Sequence, residues 1–252
     1  MFSQVKGSGV VKFVQALQQS RPAIAVPISA SDGQSFLQQV DLIGQNSAVQ
    51  VVEWRVDTSA ALSDDAIQQM AERLHQAGKL LLMTLRTQAE GGAFQGDAQA
   101  YQCEYTRLLN LIAPEALDIE ASVPETIRES CVQLAHDHQL AVVASAHDFH
   151  HTPSLADAKS QLRAQSTWAD VVKLACMPQT PQDTLNLLAL SAWARKTLKQ
   201  PAIVIGMGQL GQLTRVASGA FAPGLTFATL GHASAPGQLS VNLIHELQEE
   251  LF

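Results

Sequence analysis

Charge is scarce in this chain. Asp, Glu, Lys and Arg make up 15% of its 252 residues, against roughly 25% in an ordinary soluble domain. Hydrophobic residues reach 46%, enough for a large core, so a disordered chain is not expected. The basic residues form no run and the net charge is −7, which leaves no stripe for a phosphate backbone and argues against a nucleic-acid partner. Long apolar runs are missing too. No segment approaches the ~20 residues of a membrane span, and Met1 to Phe13 is interrupted by Gly7, Gly9 and Lys12, so neither a membrane helix nor a signal peptide is expected. Cysteine is sparse: Cys103, Cys131 and Cys176 are odd in number and widely spaced, which suits free thiols in a reducing compartment. The expected location is cytoplasmic.

What the chain does have is repetition. Short apolar, β-branched runs recur at 23–29, 49–56, 80–86, 117–121, 141–146, 171–177, 202–207 and 225–230. Nearly continuous apolar runs predict parallel strands covered on both faces, and the intervening segments carry helical spacing. One such segment places Ile67, Met70, Ala71 and Leu74 on a single helix face, with Ser63 as N-cap and Gly78 as terminator. Eight strands alternating with helices, and no Pro/Gly/Ser linker, predict an α/β chain folded as a closed (β/α)8 barrel, one domain over residues 1–252. An open doubly wound sheet uses the same elements. The polar residues tip the choice, because Glu53, Arg55, Arg86, Glu120, His147 and Lys173 lie within or at the ends of these runs. In a barrel such positions converge on one mouth; the competing reading is a set of structural ion pairs.

Lys173, in Val-Val-Lys-Leu-Ala, puts an ammonium where apolar side chains are expected. Burial disfavours the charged form and frees an amine to attack a carbonyl; a structural pairing with a buried carboxylate is the alternative. His147 follows the fifth run and is suited to carrying a proton near neutral pH. His150 and His151 beside it raise a metal reading, but no HExxH or paired-Cys motif accompanies them. Gly206-Met-Gly-Gln-Leu-Gly211 matches GxGxxG, yet no Asp or Glu follows between Gln212 and His245 to hold a ribose. A tight glycine turn after the seventh strand is a better reading than a nicotinamide site.

Taken together the motifs resemble type I 3-dehydroquinate dehydratases, from about Ala23 to Gln238. Glu53-Trp-Arg55-Val-Asp57, Thr84-Leu-Arg86-Thr with Glu90-Gly-Gly, Ser145-Ala-His147-Asp-Phe149 with Thr152-Pro153, Lys173-Leu-Ala with Met177-Pro178, Met207-Gly208 with Thr214-Arg215, Thr226-Phe227, and Ala233-Ser234-Ala-Pro-Gly-Gln238 follow in order. The resemblance implies a hydro-lyase of the shikimate pathway that converts 3-dehydroquinate to 3-dehydroshikimate and water, without metal or cofactor. It implies that Lys173 forms a Schiff base with the C3 ketone, that His147 carries the C2 proton with Glu90 assisting, and that Arg215, Ser234 and Gln238 hold the carboxylate. Glu53, Arg55 and Arg86 would hold the hydroxyl face. It also implies a homodimer.

Pro27 stands where some members carry a serine that touches substrate, and Ser218 and Ala222-Pro223 replace small or glycine positions expected after Arg215. Two other functions fit parts of the pattern. A class I aldolase would share the strand lysine and fold but would need a phosphate site near strands seven and eight, and a catalytically silent barrel would bind quinate-like ligands without turnover.

Overall fold

The structure is a computed structural model and describes residues 9–222, 224–231 and 236–252. A first helix, α1 (Gly9–Leu17), precedes the repeating units. These run β1 (Ala23–Ile28), α2 (Gly33–Gly44), β2 (Val51–Arg55), α3 (Asp64–Gln76), β3 (Leu80–Thr84), α4 (Ala98–Leu109), β4 (Ala116–Glu120), α5 (Glu125–Asp137), β5 (Ala141–Asp148), α6 (Leu155–Gln165), β6 (Val171–Cys176), α7 (Pro181–Thr197), β7 (Ala202–Gly206), α8 (Gly208–Phe221) and β8 (Leu225–Thr229). A two-residue strand, β9 (Leu239–Ser240), and α9 (Val241–Leu251) close the described chain. The ladders are parallel, in the order β7-β6-β5-β4-β3-β2-β1-β8-β9, and β7 lies beside β8 to complete a curled barrel. β9 and α1 are absent from the eight-strand expectation; β9 adds two parallel pairs to β8. The predicted helix start holds, with the Ser63 hydroxyl accepting from the Ala66 amide at 3.3 Å and Gly78 at φ 68° after the last turn.

Side chains alternate across each strand, and the register stacks the inward ones in layers. Ala25, Val51, Leu82, Ala116, Val143, Val171, Ile203 and Leu225 belong to one apolar cluster inside the barrel, joined by Phe13 and Leu17 of α1, which plug the end where the strands begin. One step further along the strands the inward residues become polar: Glu53, Thr84, Asp118, Ser145 and Lys173 are all buried. The outward residues pack beneath the helices in separate clusters. The apolar plug therefore seals one end and leaves the polar layer as the floor of a cavity at the other. Among the described residues no helix is long and apolar enough to cross a membrane.

Candidate active site

The cavity, about 120 Å3, is lined by Glu53, Arg55, Arg86, Glu90, His147, Lys173, Arg215 and Gln238. Of the nine residues expected at the site, these eight line it and Ser234 lies outside the described residues. Gly91, Phe149, Met207 and Phe227 contribute walls. Pro27 pairs with Glu53 across β1 and β2 but does not line the cavity, Ser218 on α8 donates back to the Arg215 carbonyl at 3.3 Å, and Pro223 is outside the described residues.

Lys173 sits on β6 at 3% exposure. Its Nζ donates to Asp118 Oδ2 at 3.1 Å, stands 3.5 Å from Glu53 Oε1, and lies 4.8 Å from the centre of the Phe227 ring. The lysine is thus both paired with a buried carboxylate and part of the cavity lining, so the pairing does not decide between the two readings left open by the sequence. Asp118 is a site residue that the sequence reasoning passed over. Its signal was the same as that of Lys173, a charge inside the apolar run Ala116-Leu-Asp-Ile-Glu120. Burial pushes its carboxyl upward, but Arg86, Lys173 and the Ser145 hydroxyl outweigh that and hold it below the ordinary range.

Arg86 ties this floor together. It donates to Asp118 Oδ1 at 2.8 Å, to Glu120 Oε1 at 2.8 Å and to Ser145 Oγ at 3.1 Å, and stands 3.6 Å from Glu90 Oε2. Arg55 is held at its neck by Asp57, in two contacts of 2.9 and 2.8 Å, and Asp57 also accepts the Ala93 amide. That last bond anchors the Glu90-Gly-Gly turn. Gly92 has no alternative there, because a Cβ would fall 2.1 Å from the Arg86 carbonyl oxygen.

His147 lies within β5, which extends to Asp148, two residues beyond the expected strand end. The ring Nδ1 meets Glu90 Oε2 at 2.9 Å, and Glu90 Oε1 accepts from Ser122 Oγ at 2.5 Å. Burial, with the Arg86 and Lys173 cations, holds the imidazole well below its ordinary range, so it is neutral at neutral pH. Burial and the negative charge of Glu120 push Glu90 up to about 7. One proton therefore rests between the two groups, and the imidazole is a usable base. Arg215, on α8, gives one donor to the Phe227 carbonyl at 3.2 Å while its Nε meets no acceptor among the described residues. Burial lowers its guanidinium to about 10, which leaves it charged. The glycine turn behind it is as expected: Gly206 ends β7, Gly208 (φ 68°) opens α8, and a Cβ on Gly211 would fall 2.1 Å from the Gly206 backbone. No group of three or more metal-ligating side chains is found among the described residues.

Residues 24–251 match the model of the type I 3-dehydroquinase family. The 3-dehydroquinate dehydratase of Lactiplantibacillus plantarum is 37% identical over 238 residues, 91% of this chain and 92% of that one. The chain belongs to the type I 3-dehydroquinase family. Solved structures agree with this membership. The type I 3-dehydroquinate dehydratase of Clostridium difficile superposes with a TM-score of 0.85 at 27% identity over 93% of this chain and 94% of that one, and the Enterococcus faecalis enzyme with 0.83 at 28% over 93% and 96%. The 3-dehydroquinase fold is thus the (β/α)8 barrel expected from the sequence.

Proposed function

We propose that the chain, as one catalytic domain, dehydrates 3-dehydroquinate to 3-dehydroshikimate through an imine on Lys173. The observation that carries this reading is the shared cavity: a buried lysine on a carboxylate floor, a neutral imidazole backed by Glu90, and an arginine with an unspent donor. Lys173 gives up one proton and attacks the C3 ketone as the free amine; the proton is returned to the carbinolamine hydroxyl, which leaves as water as the C=N bond forms, so ammonium and ketone become iminium and water. The iminium has the same charge as the ammonium it replaces, so ionised Asp118 balances the site before and after condensation. His147 takes the C2 proton, and the electron pair passes to the iminium nitrogen. The pair then returns to expel the C1 hydroxyl, protonated by His147, as water, and hydrolysis of the iminium frees the product. Arg215 binds the substrate carboxylate by a charge-assisted contact with Ser234 and Gln238, while Glu53, Arg55 and Arg86 face the hydroxyls. A cytoplasmic homodimer is part of this proposal and rests on the sequence and family reading alone.

Borohydride reduction in the presence of 3-dehydroquinate tests the imine. Mass spectrometry should find one adduct, on the peptide carrying Lys173, and Lys173→Ala should lose both adduct and turnover. Near-normal dehydration by that variant would exclude the covalent route.

A further inference from the structure

Glu90 has two oxygens, and each has its own neighbour. Oε2 meets Nδ1 of His147 at 2.9 Å, and Oε1 accepts from the Ser122 hydroxyl at 2.5 Å. Ser122 does not line the substrate cavity. It stands exposed in the turn after β4, on the wall of a second cavity of about 810 Å3 that Glu90 and His147 also line.

Backbone holds both ends of the Ser122–Glu90 contact. The Ala121 amide donates to the Ser145 carbonyl at 2.8 Å, the Val123 amide to the Glu120 carbonyl at 3.3 Å, and the Glu90 amide to the Thr87 carbonyl at 3.1 Å. Between these fixed points the hydroxyl sets the plane of the carboxyl. Arg86 does not take over that role, because its Nη1 donates to Glu120 and Ser145 and stands 3.6 Å from Oε2, beyond hydrogen-bond reach.

The position of the imidazole proton depends on the same contact. A neutral imidazole carries one N–H. Opposite an ionised Glu90 that N–H sits on Nδ1 and donates to Oε2, so Nε2 keeps its lone pair. Opposite a protonated Glu90 that donates to Nδ1, the N–H sits on Nε2 and the base is blocked. Burial and Glu120 favour the protonated carboxyl, with Asp118 adding to them; Arg86 and the Ser122 hydroxyl favour the ionised one, and the balance falls at about 7. Other charged groups face the pair across the two cavities: Asp148 on β5 and Glu125 and Arg128 on α5 on one side, Glu53, Arg55, Lys173 and Arg215 on the other. Ser122 differs from all of them in being uncharged, so its replacement alters a hydrogen bond and leaves every charge in place.

We propose that Ser122 is the positioning residue of the proton carrier: by holding Glu90 Oε1, its hydroxyl keeps Oε2 on Nδ1 of His147 and leaves Nε2 free to take the C2 proton. The inference rests on the dehydratase reading. As the C2–H bond breaks, the proton goes to Nε2 and the electron pair to the iminium, while the Nδ1 proton stays in its bond to Oε2. The proton on Nε2 is the one later given to the C1 hydroxyl.

The test compares Ser122→Val with Ser122→Thr, which match in shape and differ by the hydroxyl; valine also fills the space that water would enter beside an alanine. Initial rates with 3-dehydroquinate are measured across the pH range. In wild type kcat/KM should rise with pH through a midpoint near 7 that belongs to the Glu90–His147 pair. Ser122→Val should move the midpoint up by about one unit, a loss of about tenfold below it, with KM held within about twofold and the plateau recovered at high pH. Ser122→Thr should return the midpoint to that of wild type. A merely structural effect would lower the rate at every pH and leave the midpoint alone. An unshifted or lowered midpoint in folded Ser122→Val, or an equal shift in Ser122→Thr, would overturn the role and leave the dehydratase reading intact. Absence of both turnover and Lys173 adduct in wild type would instead remove that reading, and the role with it.

Discussion

At the scale of single residues, the chemistry depends on charges that hold one another in unusual states. His147 and Glu90 share a proton, and their linkage to folding has opposite signs. A depressed imidazole contributes stability that is lost as pH falls, whereas a raised carboxyl contributes stability that is lost as pH rises. Between about pH 4.5 and 6.5 the unfolded pair carries its proton on His147 and the folded pair carries it on Glu90, so wild type should be nearly flat there. His147→Asn exposes the Glu90 contribution alone: stability present below pH 4.5 should decline as pH rises to about 7, by roughly 3 kcal/mol at 1.36 kcal/mol per unit. Urea midpoints across that range check the slope. The same variant should lose roughly 10²- to 10⁴-fold in kcat yet still yield the Lys173 adduct. Asp118→Asn is expected to be harsher. It leaves Arg86 and Lys173 buried with one carboxylate fewer, a loss of roughly 3–5 kcal/mol by chemical denaturation, and it removes the counter-charge of the iminium. Lys173, His147 and the arginines were legible because each interrupts an apolar run or completes a motif. Asp118 was legible by the same rule but needed its partners to be recognised: only the register, which sets it between Thr84 and Val143, brings it to Arg86 and Lys173.

At the scale of elements, the eight strands could be read because parallel strands buried on both faces must be apolar along their length, and the observed bounds differ from the expected ones by a residue or two. β5 shows why ends are harder. His147 and Asp148 are polar and read as loop, yet their backbone continues the ladder opposite Ala175 and Cys176, since a barrel mouth is where strand backbone carries polar side chains. α1 was missed for a different reason. Gly9 and Lys12 disguise a stripe of Val10, Phe13, Val14 and Leu17 at helical spacing, and what fixes that stripe is the apolar end of the barrel, a tertiary partner invisible to local pattern. Phe13 and Leu17 are fully buried against that interior. Phe13→Ala should therefore cost roughly 3–5 kcal/mol by cavity formation. Because the plug touches the apolar layer and not the polar floor, KM measured well below the melting temperature should stay close to that of wild type. A large change in KM would show that the plug, not the ladders alone, sets the floor's geometry.

At the scale of the whole molecule, an acidic chain with a net charge of −7 binds an anion. The barrel reconciles the two by burying cations at its mouth: Arg215 is 2% exposed, with low-dielectric walls around it, and its attraction for a carboxylate is little screened. That burial is costly while the site is empty, as the lowering of its guanidinium to about 10 indicates, so occupation should stabilise the entire fold. The borohydride-reduced adduct offers a clean measure, since it tethers a carboxylate in the cavity and removes ligand concentration from the comparison. A buried charge-assisted contact contributes roughly 1.5–3 kcal/mol, and for a chain of this length each kcal/mol moves the melting temperature by about 2–4 °C. The adduct should therefore melt on the order of 5 °C above the free protein. In Arg215→Ala most of that rise should vanish while the adduct still forms, because the imine needs Lys173 and not the arginine. An equal rise in both proteins would place the carboxylate elsewhere in the cavity and return Arg215 to a structural role.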